Sequence, residues 1–199
     1  MRILGIDLSL RSSGLCLLED KNLFDYKLIQ SSSKDLNEEA LLIHNINEIC
    51  SFISFCKPDM LTLEDLSYDS PSGEKDLIAG QNWYLRIKIK QDFPTIPLKV
   101  FKVMEWRSPL FSKVENKELG LTKKELLSLK EKAGYKEMTR KDKLQFSKDN
   151  IDLILSTNIK FRTFCKLPEN IQNEFSKYSM SSGRWDLTDA YFIASKGFI

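Results

Sequence analysis

The first fourteen residues, MRILGIDLSLRSSG, constrain this chain more than any other stretch. The apolar run over residues 3–6 ends in a carboxylate, Asp7, and is followed by a Ser- and Arg-containing turn and then Gly14. A short continuous apolar run bounded by turn residues reads as a buried strand. Alternation along a strand puts Ile3, Gly5 and Asp7 on one face and Leu4, Ile6 and Leu8 on the other. A carboxylate that closes a buried strand is costly unless positive charge meets it, so an arginine or a metal ion is expected beside Asp7. A solvated strand-end aspartate is the alternative. The design recurs at MLTLE, residues 60–64, a second apolar run that finishes in an acid, Glu64.

With 199 residues, 42% hydrophobic and 29% charged, the chain suits one globular domain of ordinary size, residues 1–199. No apolar run approaches the roughly 20 residues needed to span a bilayer. Asp7 interrupts any signal-peptide pattern, so a cytoplasmic protein is expected, in the host cytoplasm if the source is viral, an organelle being the alternative. Cys16, Cys50, Cys56 and Cys165 show no CxxC spacing and lie in apolar sequence, which predicts reduced structural thiols and argues against a zinc site. The single His44 excludes chemistry built on several histidines and is expected on the surface. The net charge of +2 hides an asymmetry, with lysines concentrated between Lys113 and Lys148.

In chain order, residues 14–20 and 23–30 are strands joined by a hairpin at Lys21-Asn22. Asp35, with Glu38 three residues on, predicts a helix cap, and Leu36, Ala40, Ile43, Ile46, Cys50 and Ile53 fit one helical face until Pro58 stops it. Residues 67–74 read as a loop. Residues 74–91 are read as a helix, since a strand directly after a parallel strand would lack its crossover. A fifth strand is expected over 97–103. Thr122 and Glu125 predict a capping box for a helix ending at Gly134, and Thr139 caps another that carries Leu144, Ile151 and Leu155 inward. Residues 167–183 read as a loop with a short helix. Residues 185–198 form a last helix with Asp186 and Asp189 near its start.

The order β-β-β-α-β-α-β-α, with Gly5-Ile6-Asp7 and Gly14, then Leu61-Thr62-Leu63-Glu64, and finally Asp186-Leu187-Thr188-Asp189-Ala190, resembles the RuvC family of Holliday-junction resolvases within the RNase H-like (retroviral integrase) superfamily. Gly80-Gln81 is similar to the family's second helix. The likeness implies an α/β, RNase H-like fold: a mixed five-stranded sheet, its first three strands antiparallel and the rest parallel, flanked by helices. Residues 110–138 and 158–183 exceed the family core and read as insertions. The family's Asp-Pro-Gly turn is replaced here by Asp7-Leu8-Ser9.

Asp186 and Asp189, three apart on a helix, point the same way. Beside Asp7 and Glu64 they make a four-acid cluster that repels itself unless hard cations occupy it. All-oxygen ligands suit Mg²⁺, or Mn²⁺ in its place. Two such ions ~4 Å apart would activate water and stabilise the leaving oxygen in phosphodiester cleavage. The resemblance therefore implies an endodeoxyribonuclease that cuts four-way junctions and other branched DNA as a homodimer, with Asp7, Glu64, Asp186 and Asp189 as both metal ligands and catalytic residues. Arg11, beside Asp7, is a candidate phosphate contact. Arg140, Lys141 and Lys143 open a helix where charge and dipole favour phosphate, a solvated basic surface being the alternative. Tyr68 lies near the family's junction-wedging aromatic, one residue out of register. Trp83, Tyr84 and Trp106 read as core or dimer-interface residues. An RNase H acting on RNA–DNA hybrids is the nearest competing function. An actin-like ATPase fits less well, because 199 residues leave no room for the second homologous domain.

Overall fold

The computed structural model describes residues 1–31, 37–65, 75–179 and 183–199. Two compact units are present, one formed by residues 1–108 with 168–199 and the other by residues 109–167.

In the first unit, β1 (Arg2–Asp7), β2 (Ser12–Glu19) and β3 (Asn22–Gln30) form an antiparallel meander. The tight β2–β3 turn has positive φ at Asp20 and Lys21, matching the right-handed twist of the strands it joins. α1 (Glu38–Cys56) crosses back to β4 (Met60–Glu64), which pairs parallel with β1, and α2 (Lys75–Asp92) crosses to β5 (Leu98–Phe101), parallel to β4. The sheet order is β3-β2-β1-β4-β5, so the Asp7 strand is central. This is the mixed five-stranded sheet expected from the sequence.

One sheet face carries Leu4, Ile6, Leu15, Leu17, Leu61 and Leu63 into a core with Ile46, Ile49 and Ile53 of α1 and Leu85 and Ile89 of α2. Burying each such side chain stabilises the fold by about 1.5–3 kcal/mol. The opposite face is covered by α9 (Arg184–Lys196), from which Leu187, Ala190, Ile193 and Ala194 are buried. α3 (Val103–Arg107) follows β5, and α8 (Glu169–Phe175) precedes α9. The second unit is helical: α4 (Lys113–Lys132), α5 (Arg140–Asp149), α6 (Ile151–Thr157) and α7 (Ile159–Phe164).

Several local expectations are corrected. α1 is capped by Asn37, whose side chain accepts from the Ala40 amide at 2.8 Å; Asp35 and Leu36 lie outside the described residues, as does the expected loop over 67–74. The buried stripe of α1 is turned toward Ile49, Phe52 and Cys56, which leaves Ile43 beyond its edge and exposed. β5 stops at Phe101, and Glu105 accepts from the Lys102 amide at 2.6 Å to start α3, so Val103 is helical. α4 begins ten residues before Thr122, at a Ser112–Glu115 capping box, and Thr122 sits mid-helix with its hydroxyl donating to the Glu118 carbonyl at 2.8 Å. Asn150 divides the helix predicted after Thr139: its amide donates to the Phe146 carbonyl at 2.8 Å. Phe146, not Leu144 or Ile151, is the buried side chain of that stretch. The four cysteines are free thiols; Cys16, Cys50 and Cys56 are buried, whereas Cys165 is exposed. His44 is exposed, as expected.

Candidate active site

The two strand-end acids arrive together because their strands are neighbours. β1 and β4 run parallel with Ile6 opposite Leu63, so Asp7 and Glu64 follow at the same C-terminal edge of the sheet. In open α/β sheets that edge is where ligands bind. Asp7 is also paired across the meander with Gly14.

Gly14 brings in the third acid. A Cβ on this residue would stand 2.1 Å from the carbonyl oxygen of Asp186, so only a glycine lets the start of α9 lie on β2. Gly5 does the same further along: its Cβ would meet the Ala190 carbonyl oxygen at 2.1 Å and the Ala194 amide at 2.6 Å. Laid against the sheet in this way, α9 presents Asp186 beside β2, where the Ser12 hydroxyl donates to its carboxylate at 2.5 Å.

Asp189, one turn on, is turned inward and only 4% exposed. Its Oδ2 is ion-paired with Nη2 of Arg107 at 2.8 Å. The preceding residue, Trp106, is 2% exposed and donates its indole N–H to Glu64 Oε2 at 2.9 Å. The Arg107 guanidinium stands 4.4 Å over the Trp106 ring. From α2, the buried amides of Asn82 and Gln81 reach the backbone around the acids, donating to the Glu64 carbonyl at 3.3 Å and the Ser9 carbonyl at 3.4 Å. Asp65, next to Glu64, is ion-paired with Arg86 at 2.7 Å.

The structure thus brings Asp7, Glu64 and Asp186 to one sheet edge and seats Asp189, one turn further along α9, on an arginine. An oxygen-only donor set suits a hard divalent cation, and Asp189 already holds a cationic group. As the side chains stand, no three acids, cysteines or histidines among the described residues converge closely enough to hold an ion. Glu64, Asp186 and Asp189 are each engaged by a protein donor instead.

Arg11 is exposed in the bend between β1 and β2, its carbonyl accepting from the Ser31 amide at 3.0 Å. Tyr68 lies outside the described residues. Arg140, Lys141 and Lys143 belong to the second unit, in the first turn of α5, where Thr139 caps the helix by accepting from the Asp142 amide at 3.3 Å. Lys143 also donates to the Lys136 carbonyl at 3.2 Å and lies 5.6 Å from the centre of the Tyr135 ring. Residues 109–167 contain 14 Lys and Arg against 8 Asp and Glu, so this unit is strongly basic although the whole chain carries only +2. Trp83 and Tyr84 are exposed on α2, so only Trp106 of the three aromatics is a core residue.

Ser12, Trp106 and Arg107 were not foreseen as partners of the acids. Ser12 had a local signal, since it opens the strand that carries Gly14. Arg107 had none.

The comparison with solved structures decides the fold. Thermus thermophilus RuvC in complex with a Holliday junction substrate superposes with a TM-score of 0.56 at 11% identity, over 98% of this chain and 91% of that one. The fold is RuvC-like. Another Thermus thermophilus RuvC structure gives a TM-score of 0.48 at 15% identity, over 98% of this chain and 92% of that one. In sequence, the crossover junction endodeoxyribonuclease RuvC of Caldicellulosiruptor saccharolyticus is 34% identical over 76 residues, 36% of this chain. That match spans 46% of the relative's length. No family model matches the chain. The RuvC-like sheet carries the RNase H-like arrangement, with Asp7 on the central strand. Among the described residues, no helix is long and apolar enough to cross a membrane.

Proposed function

We propose that the chain is a divalent-cation-dependent endonuclease that cleaves Holliday junctions and other branched DNA. The observation that carries this reading is the meeting of Asp7, Glu64 and the Asp186 end of α9 at one C-terminal sheet edge. Acids brought to one sheet edge repel one another unless cations neutralise them, which suits a site for metal and phosphate. The curated and structural relatives named above are RuvC proteins, and one of them is seen on a Holliday junction.

Asp7, Glu64, Asp186 and Asp189 are the residues that would hold Mg²⁺, or Mn²⁺ in its place; a pair of such ions supplies an activated water and neutralises the charge on the leaving oxygen. The chain's own residues hold these acids in place. The indole of Trp106 fixes Glu64, Ser12 fixes Asp186, and Gly14 sets the height of α9 over the sheet. Arg11, at the turn beside Asp7, contacts the phosphate of the cut strand. Arg140, Lys141 and Lys143 take further phosphates, which set the path of the backbone without reading its sequence. Two cuts on a two-fold junction call for two sites related by two-fold symmetry, so the active form is a homodimer. Exposed Trp83, Tyr84 and Ile87 give α2 the apolar face for it.

The test is incubation with labelled four-way, flap and RNA–DNA hybrid substrates in Mg²⁺. Cleavage of the four-way junction with little cutting of the hybrid supports the proposal. Cleavage of the hybrid alone moves the chain to the RNase H side.

A further inference from the structure

Trp106 and Arg107 are consecutive residues of one short helix, yet they bind acids from two different elements. Trp106 holds Glu64 at the end of β4, and Arg107 holds Asp189 on α9. The Arg107–Asp189 pair is unlike the surface pairs of this molecule. Its side chains are 19% and 5% exposed, whereas the Met1–Asp20 pair has both groups at least half exposed. Exposed pairs contribute little, but removing one member of a buried pair leaves a charge without compensation. The guanidinium is further fixed by stacking on the Trp106 indole. Arginine stays charged at any relevant pH and orients a carboxylate through a planar fork.

We infer that Arg107 is a positioning residue that supplies the counter-charge of Asp189 and competes with a divalent cation for that carboxylate. The inference rests on the cation-dependent reading above. The guanidinium already occupies one oxygen of the carboxylate that a cation at Asp189 would bind, so the two positive groups bind with negative coupling. Arg107 keeps the buried acid aligned, and a cation binding at Asp189 contends with the guanidinium for its carboxylate. The pairing also explains why Asp189 is turned inward on α9 while Asp186, on the same helix face, reaches Ser12 at the sheet edge.

Thermal unfolding of the full chain, titrated with MgCl₂ and CaCl₂ against NaCl of matched ionic strength, tests this without any activity readout. A cation that binds the folded state raises Tm with concentration. Arg107→Gln is expected to lower Tm without divalent cation, and to lower the half-saturating Mg²⁺ concentration by roughly 5- to 150-fold, the usual span of coupling between sites. Arg107→Lys keeps the charge but loses the fork, so it should fall between wild type and Arg107→Gln; it carries the test if the glutamine variant does not fold. A residue with a merely structural role would lower Tm and leave the half-saturating concentration where it was. An unchanged or higher half-saturating concentration in the variants therefore overturns the inference. Absence of cation-specific stabilisation in wild type and both variants overturns the cation-dependent reading itself, which is a separate failure.

Discussion

Gly14 of β2 and Asp186 of α9 meet so closely that a single added carbon on the glycine would stand 2.1 Å from the aspartate's carbonyl oxygen. The contact couples the strand paired with Asp7 to the helix that delivers two acids. Gly14→Ala must push the start of α9 off the sheet, at a cost of about 1–3 kcal/mol in stability. Cleavage should fall by far more than the loss of folded protein explains, because Asp186 moves with the backbone. Circular dichroism melts set beside junction cleavage check this; a variant that is destabilised yet cuts normally contradicts it.

The strand ends were legible in the sequence because an apolar run closed by an acid is a local pattern, and residues 1–7 and 60–64 both carry it. The last helix was legible for the same reason, its two acids lying at helical spacing. Trp106 and Arg107 were not, since their partners lie 42 and 82 residues away and no local pattern links them. The start of α4 was misplaced because Ser112–Glu115 and Thr122–Glu125 both carry the capping-box sequence pattern in one helix-forming stretch, and only the first caps. Gly120 between them costs only about 1 kcal/mol and does not break the helix. Which face of α1 is buried depends on the sheet beneath it, and that is why Ile43 was assigned to the core.

Phosphate binding by the basic unit gives a salt-dependent outcome. Neutralising Lys141 and Lys143 together should weaken junction binding and flatten the dependence of log affinity on log salt by up to about two phosphate contacts. Titrations from low to physiological salt measure it. An unchanged slope would remove these lysines from the DNA contact.

A dimer built on α2 predicts its own disruption. Ile87, half exposed on that helix, replaced by Asp should give monomers in light scattering and abolish paired cutting of a junction. Wild-type protein that is monomeric both free and on a junction contradicts the dimer.

Acid should loosen the second unit at one defined contact. The Lys166 ammonium, with the backbone amide and hydroxyl of Ser112 assisting, holds the Glu115 carboxyl down at about 2 against an ordinary 4.5. A carboxyl with a depressed folded-state pKa contributes stability above its ordinary value and loses it as pH falls through that window. The Tm difference between wild type and Glu115→Gln should therefore shrink as pH drops from 4.5 toward 2. A difference that stays constant over that range shows that the contact does not contribute.

The central claim, that the acids at the sheet edge form a nuclease site, is tested most directly by Asp7→Asn. The substitution keeps the shape of the side chain and removes its charge. With labelled four-way junction and Mg²⁺, the variant should bind the junction as wild type does and cut it at least about a hundredfold more slowly. Cleavage by Asp7→Asn at a rate near that of wild type would contradict the account.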